Sequence, residues 1–383
     1  MISPVRLAIV IHGYYPRIGG AERLVGAMAP RLQENDFDVH VLTRRLPGTQ
    51  SYERIDGVPV HRMPVFGPKA AASISFTAAA ILRLLKIRPH VIHAHEMFSP
   101  ATTAMLAQSL MGVPVIVTPH SSGPIGDVER IKRRFLGQQR LAFFRKRVNC
   151  FISISKDVDD ELKGVGILAE RRISIANGVD ERRFSPVSAN EKKQLQGKLG
   201  LPQDAPIGLF CGRLAPEKRV DLLINAWAYI RNQYQQAVLL ILGTGSEEAY
   251  LRGIAKEGVD FRGPVDDVAP YMKASDFFCL PSIREGLSVA ILESQACALP
   301  VVATRIPGNC ELIEHGVNGL LFEPDQQDQL IEELITMSGR PEIRAQFGEA
   351  GRKRILEKYT LQRTVEQHIR LYRQLVSSNG SLK

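Results

Sequence analysis

One pattern constrains this chain more than any other: short, continuously apolar runs alternate with longer segments whose apolar positions recur at helical spacing. In the first half the runs are Leu7 to His12, Val39 to Thr43, Val58 to Met63, His90 to His95, Pro114 to Thr118 and Cys150 to Ser155. Between them, Ala21 to Leu32, Ala71 to Lys86 and Ser99 to Leu110 read as helices. Strands apolar on both sides belong to a parallel sheet covered by helices on both faces. A second series begins at Ile207, with strands to Cys211, over Val238 to Leu242 and over Phe277 to Leu280, and helices over Val220 to Arg231 and Glu247 to Lys256. At 383 residues the chain is long enough for two such α/β domains. The Asn177-Gly178 turn and the polar stretch KKQLQGKLGLPQDAP mark the linker region, giving expected domains of residues 1–184 and 185–360. The segment from Leu361 reads as a charged amphipathic helix.

Composition narrows the class. Apolar residues make up 44% and charged residues 23%, as in an ordinary soluble globular protein. The N-terminus MISPVRLAIVIHGYY enters a strand at once, so no secretory leader is expected. The most apolar stretch, Ala70 to Leu85, carries Arg83 and reads as too short to span a bilayer. The five cysteines are scattered without paired spacing, which fits reduced thiols in a cytoplasm and neither a disulfide framework nor a zinc site. A net charge of +9 favours anionic partners. Residues 129–148, ERIKRRFLGQQRLAFFRKRV, read as one helix mixing cations with Phe135, Phe143 and Phe144. A solvated basic face and a patch resting on anionic lipid through residues 130–147 are both open readings. No nucleic-acid module is present, so nucleic acid is not expected as a partner.

The stretch PSIREGLSVAILESQACALPVVAT, residues 281–304, carries the densest functional signal. A loop with Glu285 and Gly286 leaves a strand, and a helix starts near Ser288, a suitable N-cap. Glu293 falls on the apolar stripe formed by Val289, Leu292, Ala296 and Leu299. A carboxylate there is costly unless it is hydrogen-bonded, either to a core cation or to a polar ligand. Amides of Gly286, Leu287 and Ser288 sit at a helix N-terminus, which attracts anions. In CGRLAPEKR, Arg213 just past one strand and Lys218 at the next helix start make a cradle suited to a diphosphate. Gly19-Gly20, before the first helix, suit either a tight turn or close approach to a phosphate or sugar. Gly243 and Gly245 form a similar turn in LGTGSEE. His120 follows a strand at the sheet edge where α/β folds present ligand groups, while His93 and His95 alternate on their strand. Two Asp-x-Asp pairs, Asp36/Asp38 and Asp157/Asp159, precede a strand and open a helix respectively, so neither is placed to hold a metal diphosphate.

These residues carry a resemblance to glycosyltransferase family 4. REGLSVAILESQACALPVVAT resembles its E-x7-E motif, FCGRLAPEKRVDLLINAW its R-x4-K motif, and IANGVDERRFSP the stretch joining its two domains; GGAER and LLILGTGSE also match. The resemblance runs in order over nearly the whole chain. It implies the GT-B fold, two Rossmann-like doubly wound parallel-sheet domains facing a deep cleft, with residues 361–383 crossing back to the N-terminal domain. It implies a retaining hexosyltransferase with no metal and no cofactor. The donor is a nucleotide-diphosphate sugar of UDP or GDP type. The acceptor is a glycan or lipid-linked molecule in cell-surface polysaccharide or glycolipid synthesis. It places the enzyme in the cytoplasm, with the inner face of the membrane as a peripheral site. Arg213 and Lys218 would neutralise the diphosphate, Glu285 would bind the transferred sugar and Glu293 the ribose. His120 would contact the sugar near the reacting centre, and Gly19, Gly20, Gly212 and Gly243 would lie in the donor layer. Arg262 matches the region that touches the base. The chain departs from the family at Arg219, often Gly; at Ser288, often Pro; and at Pro307-Gly308-Asn309. A nucleotide-sugar epimerase, a glycan phosphorylase and a catalytically silent membrane-binding protein are the alternatives.

Overall fold

The computed structural model describes residues 4–16, 19–124 and 126–380, the side chain of Lys69 excepted. The chain divides into two compact units, 1–177 with 362–383, and 178–361. The first runs β1 (Val5–Val10), α1 (Gly20–Gln33), β2 (Phe37–Arg44), β3 (Tyr52–Ile55), β4 (Val58–Met63), α2 (Lys69–Ile87) and β5 (Val91–His95). It continues with α3 (Ser99–Met111), β6 (Val115–Thr118), α4 (Asp127–Lys132), α5 (Gly137–Arg147), β7 (Cys150–Ser153), α6 (Lys156–Gly164) and β8 (Arg172–Ser174). Among the described residues these strands form an eight-stranded sheet, order β3-β4-β2-β1-β5-β6-β7-β8, parallel except for the β3–β4 pair. The chain leaves β1 in one direction and β5 in the other, so the switch point lies between them.

The second unit runs α7 (Ala189–Leu199), β9 (Ile207–Cys211), α8 (Val220–Gln233), β10 (Val238–Leu242), α9 (Glu248–Ile254), β11 (Val259–Gly263), α10 (Ala269–Ala274) and β12 (Phe277–Leu280). Then come α11 (Val289–Ala296), β13 (Val301–Thr304), α12 (Pro307–Cys310), β14 (Gly319–Phe322), α13 (Gln327–Gly339) and α14 (Pro341–Lys358). Its six described strands are all parallel, order β11-β10-β9-β12-β13-β14, with the switch point between β9 and β12. β9, β12, β13 and β14 are buried along their whole length, edge strand β11 is half-buried, and Trp227 of α8 packs on Phe277 of β12.

The last helix, α15 (Leu361–Ser378), packs from Gln362 onward within the first unit. Thr364 donates to the Ala176 carbonyl at 3.0 Å, and the Tyr372 hydroxyl lies 2.7 Å from His93 Nδ1.

Four sequence expectations need correction. The boundary falls after Asn177 and not after residue 184. Val179 bridges Thr360, and the Phe184 carbonyl accepts from Arg352, which fixes 178–184 in the second unit. The supposed linker holds α7. Ser188 and Glu191 form a reciprocal capping box at its start, Lys192 pairs with Asp276 at 2.6 Å, and Gln196 donates to the Ala274 carbonyl. Residues 129–148 are not one helix: α4 ends at Lys132, Leu136 takes a left-handed φ of 59°, and α5 restarts at Gly137. Finally, Ala70–Ile87 is an 18-residue window long and apolar enough, at a mean hydropathy of 1.5, to cross a membrane by length and composition. Arg83 and Lys86 are its only charges, too few to lower that average below the threshold.

Candidate functional site

The β9–β12 switch point gathers the charged residues of the second unit. After β9 the chain makes a short 3₁₀ turn, Pro216–Lys218, and Arg219 then adopts a left-handed φ of 48° before α8 begins. That backbone suits glycine. Arg219 occupies it with its guanidinium held by Asp221 and Asp325. After β12 the loop carrying Glu285 runs into α11, whose N-cap Ser288 accepts from the Ile291 amide.

The two loops are tied together. Ile283 N–H donates to the Glu217 carbonyl at 3.0 Å, and Lys218 Nζ donates to Glu285 Oε1 at 2.6 Å. Both side chains are mostly enclosed, at 18% and 12% exposed. A carboxylate and an ammonium 67 positions apart thus form one unit at the mouth of a helix N-terminus. Behind them, Thr304 Oγ1 donates to the Ser282 carbonyl at 2.7 Å, and Asn309 Nδ2 donates to the Thr304 carbonyl at 2.9 Å. Gly308 closes the support. A Cβ on it would lie 2.5 Å from the Glu285 carbonyl oxygen and 2.7 Å from that of Gly286. Only glycine lets α12 press on the loop that aims Glu285.

The structure sorts the remaining candidates of this unit. Arg213 is 66% exposed at the same junction, its guanidinium donating to Glu217 at 2.6 Å. Gly286, Leu287 and Ser288 are buried in the α11 entry. Glu293 is buried on the inner face of α11. Gly212 and Gly243 meet back to back: Gly243 has φ 126°, and a Cβ on it would lie 2.0 Å from the Gly212 carbonyl oxygen, so this pair is a close backbone approach in the layer of loops above the sheet. Arg262 stands apart on edge strand β11, where Asp260 and the Leu199 carbonyl take its guanidinium.

In the first unit, Gly19 caps α1, which starts at Gly20 past the end of β1. Beside β1 at the switch point, Glu96 at the end of β5 adopts φ 73°, its carboxylate 3.9 Å from His12. His120, half-buried past β6, has Nε2 2.8 Å from His95 Nδ1, and the two rings stack. His95 packs at a tilt against His93, which contacts Thr118 Oγ1 and the Tyr372 hydroxyl, each at 2.7 Å, and stacks with His368 of α15. Burial pushes the His120 and His368 imidazoles down to about 4 and holds His93 and His95 well below the usual histidine range; neighbouring imidazoles add to this for the latter two. His120 is therefore neutral at physiological pH, a hydrogen-bonding group and not a cation.

Buried Asp127 fixes the loop that carries His120, accepting from the Met97 amide at 3.1 Å and Ser121 Oγ at 2.9 Å. Burial raises its carboxyl above the usual range. Asp127, Glu217 and Thr304 were not singled out from the sequence, and Asn309 was noted there only within Pro307-Gly308-Asn309. Glu217 alone left a signal, four positions after Arg213. Both Asp-x-Asp pairs are engaged elsewhere: Asp38 pairs with Arg6, and Asp159 accepts from Ser153 and pairs with Arg172. Among the described residues no group of three or more His, Cys, Asp or Glu side chains is arranged to hold a metal ion. Four cysteines are buried and Cys310 is exposed, and none is in a disulfide.

Comparison with known proteins agrees in both halves. The family model described as Glycosyltransferase Family 4 matches residues 18–183, and that described as Glycosyl transferases group 1 matches residues 205–339. An uncharacterized glycosyltransferase of Methanocaldococcus jannaschii is 28% identical over 94% of this chain and 96% of its own length. Sucrose-phosphate synthase from Thermosynechococcus elongatus superposes with a TM-score of 0.81 at 22% identity, covering 98% of this chain and all of that one. HepE of Anabaena, solved in complex with UDP-glucose, superposes with a TM-score of 0.78 at 19% identity over 97% of this chain and 99% of its own.

Proposed function

The chain belongs to glycosyltransferase family 4 and is a glycosyl-transferring enzyme of the GT-B fold, and on that premise we propose that it moves a sugar from a nucleoside diphosphate sugar, of UDP or GDP type, to a glycan or lipid-linked acceptor. The transfer retains the anomeric configuration, requires no metal, and serves cell-surface polysaccharide or glycolipid synthesis. The observation that carries the reading is the Lys218–Glu285 pair at the entry to α11. It places a cation for phosphate and a carboxylate for sugar hydroxyls within one hydrogen bond of each other, beside helix N-terminal amides.

In this reading the bond from the anomeric carbon to the diphosphate breaks first, and negative charge grows on the leaving phosphate. Lys218, Arg213 and the Gly286–Ser288 amides stabilise that charge, the role of oxyanion-type donors. Glu285 holds hydroxyls of the transferred sugar and Glu293 the ribose. Neutral His120 hydrogen-bonds the sugar near the reacting carbon, oriented by His95. The acceptor hydroxyl attacks from the face the diphosphate leaves, and its proton passes to the departing phosphate oxygen. No second carboxylate of the glycosidase kind is required. Gly212 and Gly243 shape the loops over the donor, and Gly19-Gly20 offer the α1 N-terminus to its phosphates. Arg262 keeps a role at the base only if the donor draws it from Asp260.

The test is release of nucleoside diphosphate from a panel of UDP- and GDP-sugars, with and without acceptor, in a strong chelator, with the product anomer read by NMR. Acceptor-dependent release at full rate with retained configuration is expected. Release or interconversion without acceptor points to an epimerase, phosphate-dependent sugar-phosphate formation to a phosphorylase, and activity lost in chelator and restored by magnesium removes the metal-free claim.

A further inference from the structure

The basic surplus of the chain lies wholly in the first unit. Residues 1–177 with 362–383 hold 28 Lys and Arg against 15 Asp and Glu, whereas the second unit holds 21 against 25. The surplus is concentrated further: from residue 57 to 147 there are 13 cations and only three carboxylates, Glu96, Asp127 and Glu129. None of the three offsets the outer surface. Asp127 is buried, Glu129 is paired with Lys132, and Glu96 lies at the switch point beside His12.

This segment builds one face of the sheet. The connections β4→β5, β5→β6 and β6→β7 all step toward β8, so right-handed crossovers put α2, α3 and the α4–α5 pair on the same side. The outward side of that layer is unusually apolar. Only 17% of the Ala70–Ile87 window is buried, and Ile74, Leu82 and Leu85 are exposed at helical spacing along α2, beside exposed Leu110 of α3. At the α4–α5 corner Phe135 is 94% exposed, followed by exposed Leu136 and preceded by exposed Arg133. Single exposed apolar residues are ordinary; a helix face and an aromatic corner together on a basic layer are not.

The structure also removes one cation from the patch expected over residues 130–147. Arg140 is turned inward, donating to the Met97 and Phe98 carbonyls and to Thr102, whereas Arg130 and Arg134 lie over the Phe98 ring and stay exposed. Arg130, Lys132, Arg133, Arg134, Arg145, Lys146 and Arg147 are exposed along the stretch that carries exposed Phe135 and Phe143, with Arg147 over the Phe143 ring. Exposed cations interspersed with exposed aromatic and aliphatic side chains on one helical layer match an anionic lipid surface, where the cations meet headgroups and the apolar tips enter the acyl boundary.

We propose that the α2–α3–α5 face of the first unit docks on an anionic membrane surface, with Phe135 and Leu136 inserting and Arg133, Arg145 and Lys146 meeting the headgroups. None of the residues named for docking is assigned a part in the sugar chemistry, so loss of this proposal leaves donor turnover untouched.

The test is co-sedimentation of the full chain with vesicles of phosphatidylcholine alone and of phosphatidylcholine with 30% phosphatidylglycerol. Binding only to the anionic vesicles, weakened in 1 M salt, is expected. Phe135→Ser with Leu136→Ser should weaken it about tenfold or more. Arg133→Glu with Lys146→Glu should weaken it at least fivefold per cation. Both variants should keep wild-type circular dichroism and turnover of a water-soluble acceptor. Equal binding to neutral vesicles, no vesicle binding, or binding unchanged in both variants overturns the proposal. So does capture of a duplex oligonucleotide in place of vesicles with the same variant sensitivity, which assigns the face to nucleic acid.

Discussion

Replacing Lys218 by Ala separates two roles that the structure gives one residue. Its ammonium is 2.6 Å from Glu285 Oε1 in a largely enclosed pair. Without it, Glu285 keeps a carboxylate with its main partner gone, which costs about 1–3 kcal/mol. The cost stays below the ~3–5 kcal/mol of a fully buried pair because water still reaches both groups. For a unit of this size about 2–4 °C of melting temperature is lost per kcal/mol. The catalytic loss should be larger and separable. Losing one donor aimed at developing charge costs about 10²–10³ in kcat, whereas the donor KM should change little, since the charge grows mainly in the transition state. Steady-state kinetics and thermal melts of Lys218→Ala, and of Lys218→Met combined with Glu285→Gln, distinguish the two. The double variant should recover the melting temperature and not kcat. If Lys218→Ala melts lower but keeps kcat within about threefold of the parent, Lys218 is only a structural partner of Glu285, and the placement of the diphosphate is wrong.

Three further outcomes are expected. Glu293→Gln should raise the donor KM with kcat nearly unchanged, because a ribose contact is the same in ground and transition states; loss of kcat with unchanged KM would contradict this. Gly308→Ala should raise the donor KM by shifting the Glu285–Gly286 loop, with circular dichroism confirming the fold; unaltered kinetics would show that α12 does not position Glu285. His93, His95, His120 and His368 stay neutral in the fold but take protons in the unfolded chain below about 6.5, so unfolding binds protons and stability falls as pH drops from about 6.5 toward 4. Each contributes up to about 1.4 kcal/mol per pH unit, and thermal melts of the parent and of His93→Gln across that range should diverge; parallel curves would mean His93 titrates normally.

The sequence spoke most clearly where one physical cause dominated. Strands β9, β10 and β12 follow directly from apolar runs, because a strand buried on both faces is built mainly from apolar residues. The Ser288 cap was legible because capping is local. The α7 helix was not: its apolar face is weak, and a capping box, an ion pair and one buried Gln hold it in place. The break between α4 and α5 depends on Leu136 taking a left-handed backbone, which its side chain does not announce. At the site, Arg213, Lys218, Glu285 and Glu293 were visible as charges in the right places. Their pairing was not, since Lys218 meets Glu285 only because β9 and β12 are neighbours in the sheet. The histidine stack is likewise tertiary, drawing on β5, the loop after β6 and the distant α15.

If, as proposed, the β9–β12 switch point of this glycosyltransferase holds a nucleoside diphosphate sugar through Lys218, Glu285 and Glu293, nucleotides should stabilise the fold. The most direct measurement is the melting temperature of the full chain with UDP, GDP, ADP and their sugars. A ligand at 100 times its dissociation constant adds about 2.7 kcal/mol, a rise of about 5–10 °C for a unit of this size. Such a rise is expected with one nucleoside diphosphate family, increased by its sugar, and reduced in Lys218→Ala and Glu293→Gln. A rise that persists undiminished in both variants, or no rise with any nucleotide, would contradict it.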